Sequence, residues 1–140
     1  MSQTRVYVPL NASRLRELSR TRTLTGTPLA AFAVTARLER SLPTGDEEEW
    51  EYAALCDAVE AASELRETPG AKRVVAAADV EADSVMAGGE AGALSSVDVG
   101  EAVPLRHIVS FHIDELPNAD GAEDLLWYDA TELDEVARLM

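Results

Sequence analysis

At 140 residues, 46% of them hydrophobic and 27% charged, the chain is long and apolar enough to bury a core, which excludes a disordered tail; a lone cysteine, Cys56, excludes an internal disulfide framework. The net charge of −14 is uneven, with +5 on residues 1–42 and −19 on residues 43–140, so long-range attraction to nucleic acid is disfavoured and the basic end is expected to fold against the acidic body. No apolar stretch approaches the ~20 residues of a membrane-spanning helix and no signal-peptide core follows Met1, so one domain over 1–140 in the cytoplasm is expected, without membrane or nucleic-acid partners.

Val6-Tyr7-Val8 is β-branched and aromatic, and Pro9 lacks a ladder donor, which predicts a first strand ending there. Asn11 or Ser13 caps a helix whose apolar positions are Leu15 and Leu18, with Arg14, Arg16, Arg20 and Arg22 toward water. Leu29 to Thr35 reads as a second strand and Arg37 to Ser41 as a short helical piece. Thr44-Gly45-Asp46-Glu47 has capping-box spacing, and the acids that follow suit the positive end of a helix dipole; the longest helix is expected from about Asp46 to Arg66, stopped by Pro69-Gly70. Val74 to Ala78 reads as a buried strand and the glycine-bearing stretch Ala87 to Ala93 as a flexible loop. Ser96 to Val99, His107 to Ile113 and Leu125 to Tyr128 read as further strands. Asp129, with Glu132 three residues on, caps a terminal helix bearing Leu133, Val136 and Leu139.

Strands that do not strictly alternate with helices point to an α+β fold: a mixed or antiparallel sheet packed with one long central helix and two shorter helices. In the long helix, Tyr52, Leu55, Cys56, Val59 and Ala62 share the face expected to pack on the sheet. Trp50, Ala54, Ala58, Ala61 and Leu65 form a second apolar face beside it, and Asp57, Glu60 and Glu64 lie on an acidic edge. Either the C-terminal segment, through Leu126, Leu133, Val136 and Leu139, or another subunit or partner covers that second face.

Several segments together carry a family resemblance: Arg5 to Leu10, Ala33-Val34-Thr35, Gly45 to Leu55, Arg73 to Val80, and Leu125 to Tyr128 with Glu132-Leu133. The chain resembles an uncharacterised family of small acidic actinobacterial proteins, a domain of unknown function. The resemblance implies a bacterial origin and supplies no activity, cofactor or catalytic residue.

No phosphate loop, nucleophile elbow or paired-cysteine metal motif occurs, and no cofactor is expected. The absence of a catalytic set, beside a body of −19, favours a non-catalytic protein-binding or regulatory domain that presents an acidic surface to a protein partner or a second copy; the surface expected is Trp50, Ala54, Ala58, Ala61 and Leu65 with Asp57, Glu60 and Glu64. One alternative is a small enzyme using His112 with Asp114 or Asp79 as acid/base or metal ligands, since His112 and Asp114 point to one face of an extended strand. His107 would point to the other face. A second alternative is an acidic nucleic-acid mimic.

Overall fold

Strand β1 (Gln3–Leu10) alternates side chains across the sheet in the way that organises the molecule. Val6, Val8 and Leu10 enter one apolar core, whereas Tyr7 enters a second core on the opposite face. A computed structural model describes residues 2–26, 28–88 and 92–140. The remaining elements are α1 (Ala12–Thr21), β2 (Thr23–Leu24), β3 (Leu29–Phe32), α2 (Ala36–Ser41), α3 (Glu47–Glu64), β4 (Val74–Glu81), β5 (Val85–Ala87), β6 (Ser96–Val99), β7 (Val103–Pro104), β8 (Ile108–Asp114), β9 (Leu125–Asp129) and α4 (Leu133–Leu139). Seven strands form one sheet in the order β5-β6-β3-β1-β4-β8-β9, and β2 with β7 makes a separate ribbon. Every described pairing is antiparallel.

Helices cover both faces. Leu15 and Leu18 of α1, Leu133 and Val136 of α4, and Leu24 and Val103 of the ribbon pack on the face bearing Val6, Val8, Phe111 and Ile113. Ala54, Ala58, Val59 and Ala62 of α3, with Leu38 of α2, pack on the face bearing Tyr7, Val75 and Ala77. The sheet, apolar on both faces in its middle strands, therefore has the two-sided cover such strands require. β8 lies between β4 and β9, so the expected central position of Phe111 holds; its ring is fully buried.

The helix ends follow from their capping side chains. Asn11 accepts from the Arg14 amide, Thr35 from the Leu38 amide, and Asp46 from the Glu49 amide, each satisfying an N-terminal donor. The cap of α3 is thus Asp46, with Glu47, Glu48 and Glu49 in the first turn where the dipole favours them. Asp129 and Glu132 form the expected capping box, with one 3-10 turn before α4.

Three expectations are corrected. The two-residue strands β2 and β7 and the three-residue β5 were not foreseen, and the stretch expected as a flexible loop from Ala87 to Ala93 begins inside β5; its residues 89–91 lie outside the described ones. The C-terminal segment does not cover α3: α4 sits on the other side of the sheet. And α3 lies on the sheet through a face rotated from the expected one, joining Val59 and Ala62 of the expected stripe to Ala54 and Ala58 of the face expected beside it. Ala54 and Ala58 are fully buried, whereas Tyr52 is 50% exposed and Leu55 and Cys56 are half-buried. Alanines at every fourth position let the helix axis approach the small side chains of β4, Ala77 among them, and that closeness outweighs the larger area that Tyr52 and Leu55 would bury.

Candidate functional site

On the α3 face of the sheet a row of polar side chains crosses the central strands. Arg5 of β1 stands opposite Asp79 of β4; Tyr7 is opposite Ala77, which is opposite Ser110 of β8; and Val75 is opposite His112. The Arg5 guanidinium grips the Asp79 carboxylate through two bonds, Nε to Oδ1 at 2.6 Å and a terminal nitrogen to Oδ2 at 3.1 Å. This pair, with Glu39, Glu47 and Glu51, lines a polar cavity of about 560 Å³ at the end of the sheet. The hydrogen bond that Arg5 donates to Asp79 is the main cause that raises the Arg5 pKa further. Burial, then the nearby Glu51 charge, raises that of Tyr7. The arrangement is an acidic recess around one neutralised cation, suited to receive a positive group.

His112 does not join either expected carboxylate. Its Nε2 lies 3.1 Å from the Ser110 hydroxyl, and among the described residues no carboxylate reaches its ring at salt-bridge distance. Burial, and then the positive charge of Arg5, lowers its pKa and favours the neutral imidazole. Asp114 shares the face of His112, as the strand period required, but is spent on a different bond. Arg73, just before β4, donates its Nε at 2.9 Å and its backbone N–H at 2.7 Å to Asp114 Oδ2, and a terminal nitrogen at 2.9 Å to Oδ1. Arg73 is 3% and Asp114 2% exposed. A fourth bond, from Arg73 to the Gly121 carbonyl at 2.6 Å, ties in the β8–β9 loop. Asp114 is therefore a structural anchor, and Asp79 is held by Arg5; the acid/base pair of His112 with Asp114 or Asp79 is not assembled. Among the described residues no cluster of three or more His, Cys, Asp or Glu is placed to hold a metal ion.

The expected interaction surface on α3 is also divided by the packing. Ala54 and Ala58 contact the chain's own sheet and Ala61 is half-buried. Trp50 donates its indole N–H to the Leu42 carbonyl at 3.0 Å, pinning the turn between α2 and α3, and Asp57 accepts from the buried Ser95 hydroxyl at 2.6 Å. Glu60, Glu64 and Leu65 remain exposed. Of the expected cohesion between the basic end and the acidic body, one ion pair forms among the described residues: Arg5 meets Asp79, whereas Arg14 and Arg16 bond to the Thr25 carbonyl and the Ser13 hydroxyl.

The sequence did not single out Trp127. β9 is an outer strand of the sheet, bonded to β8 on one side, and Trp127 stands on it 62% exposed, opposite His112. Leu126 and Tyr128 point the other way and pack on the core. Acids crowd both ends of the strand: Asp120, Glu123 and Asp124 before it and Glu132 and Asp134 after it are all exposed. The signal was present as a four-residue apolar run set between acidic clusters.

No helix of the described chain is long and apolar enough to cross a membrane. No curated protein and no solved structure matches the chain. A family model does match, over residues 4–137, and on that coverage the chain belongs to a family of unknown function, DUF6912.

Proposed function

We propose that the chain is a non-catalytic protein-binding domain whose outer strand β9 receives an extended, basic segment of a partner protein. The observation that carries this is the outer edge of β9, which pairs with no further strand among the described residues, with Trp127 exposed on it and acids at both ends. An edge strand offers a row of unpaired N–H and C=O groups that a partner strand completes, while side chains on one face give specificity. Charge sets the occupant. A second copy pairing antiparallel through β9 would bring its own acidic ends against these, which repel; a strand carrying Lys or Arg at its ends is attracted. Trp127 supplies the large, rigid anchor typical of binding hot spots.

The test is a titration of isotope-labelled protein with a peptide of alternating valine and lysine, followed by amide resonances at low and high salt. Shifts concentrated on Leu125–Asp129, with affinity that falls as salt rises and drops by about thirtyfold or more in Trp127→Ala, are expected. Saturable shifts elsewhere, or none on β9, refute the proposal.

A further inference from the structure

A cavity of about 530 Å³ opens where the end of β1, the start of α1, the chain between α3 and β4, Pro117 of the β8–β9 loop and the end of α4 converge. Its size falls within the ~300–1,000 Å³ of small-molecule sites. Leu10, Ala62, Ala71, Pro117, Leu139 and Met140 make its walls mostly apolar. The chain supports it firmly on one side: Gly70 has φ +79° and a Cβ there would collide with Asn118 Oδ1, while the Asn118 backbone N–H donates to the Gly70 carbonyl at 2.8 Å, so the α3–β4 connection and the loop carrying Pro117 are locked together.

Three cations line this cavity, Arg16, Arg66 and Lys72, against one acid, Glu67. In a chain of net charge −14 that local balance is reversed. Glu67 is already engaged: its two oxygens accept from the Ser13 amide at 2.8 Å and the Ser13 hydroxyl at 2.5 Å, and those bonds lower its pKa, so it stays ionised as the acid that closes the start of α1. Arg66 is fixed by two carbonyls, Nε to Ala71 O and a terminal nitrogen to Ala119 O, each at 2.8 Å. Arg16 reaches the Ser13 hydroxyl at 3.3 Å. Among the described residues no carboxylate lies at salt-bridge distance from Arg16, Arg66 or Lys72. Carbonyls and a hydroxyl satisfy donors without neutralising charge, so the cavity combines apolar walls with a rim on which three cations outnumber the single carboxylate of Glu67, itself held by Ser13.

We infer that this cavity binds a small amphipathic anion, an apolar body lying against Ala71, Pro117 and Leu139 and a carboxylate or phosphate head at the rim formed by Arg16, Arg66 and Lys72. Burial of the body supplies affinity in proportion to apolar area, and the charged head supplies orientation through charge-assisted hydrogen bonds. The site is independent of the β9 edge and stands or falls separately from it.

Calorimetric and resonance titrations with decanoate and with decyl phosphate, below their micelle concentrations, separate the two kinds of head; decyltrimethylammonium and decanol serve as controls. One-to-one saturation by either anion, with shifts at Leu10, Ala62 and Ala71, is expected, and the tighter of the two identifies the head. Lys72→Glu is expected to weaken binding by about tenfold or more with the thermal midpoint little changed. Ala71→Phe, which fills the cavity, is expected to abolish it; if that variant does not fold, Lys72→Glu decides alone. Equal binding of the cationic control, absence of saturation by both anions, or full affinity in Lys72→Glu overturns the inference.

Discussion

Replacing Asp114 by alanine tests the most consequential polar contact in the chain. In the native protein its two oxygens take three donors from Arg73, and both side chains are withdrawn from water. The substitution leaves the Arg73 guanidinium buried with the Gly121 carbonyl as its described partner and orphans the Arg73 backbone N–H. Breaking a buried pair from one side costs about 3–5 kcal/mol, because the surviving charge keeps its desolvation penalty. A domain of this size holds roughly 5–15 kcal/mol in total, so Asp114→Ala consumes a large fraction of it. In a urea titration the midpoint is expected to fall by on the order of 2 M with the slope nearly unchanged. The double variant Arg73→Met with Asp114→Leu removes the charge as well, and is expected to recover part of the loss, less the cost of the orphaned backbone N–H. A single variant within about 1 kcal/mol of the native protein, or a double variant no more stable than the single, would refute the reasoning.

The Arg5–Asp79 pair supplies the contrast: both partners are about one-third exposed, so Asp79→Asn is expected to cost less than about 1 kcal/mol in the same titration. Phe111→Ala removes a fully buried ring from the middle of β8 and should cost about 3–5 kcal/mol, measured by the same midpoint shift. Ala58→Arg places a cation between α3 and the sheet and is expected to unfold the isolated chain, read as loss of near-ultraviolet dichroism. His112 has its pKa lowered from 6.5 by burial and Arg5, so the unfolded chain takes up a proton first; its contribution is fully present above about pH 6.5 and is lost as pH falls through the depressed folded value. His112→Gln should remove that part of the slope, seen as a difference between the two stability profiles over the same pH interval.

The elements visible in the sequence were those whose determinants are local. The acids after Asp46 announced the start of α3, although Asp46 and not Thr44 is its cap, and the box from Asp129 to Glu132 announced that of α4, where the cap and its partner are three residues apart. β2 and β7 were not legible: two residues carry no period, and their pairing, Thr23 with Pro104, is set by the core beneath them. The face of α3 was legible only in part: helix period placed Val59 and Ala62 on the sheet, but on a helix apolar over most of its circumference it does not tell that Ala54 and Ala58 enter the core by close approach in place of Tyr52 and Leu55. The strand period correctly put His112 and Asp114 on one face. Nothing within several residues could reveal that Asp114 belongs to Arg73, 41 positions away, or that Arg16, Arg66 and Lys72 share a cavity.

The antiparallel pairing of β1 with β4 has a consequence in time. Gln3 pairs with Glu81 and Leu10 with Val74, so the two strands at the middle of the sheet are joined by a closure spanning roughly 60–80 residues. Such non-local pairing places the chain among the slower folders of its size, in the range of milliseconds to seconds. During synthesis at about 5–20 residues per second, the first strand made must wait roughly 4–16 s before its partner exists. Throughout that interval Val6, Tyr7 and Val8 have neither core to enter, and the N-terminal segment is the part of the nascent protein most in need of a chaperone's cover.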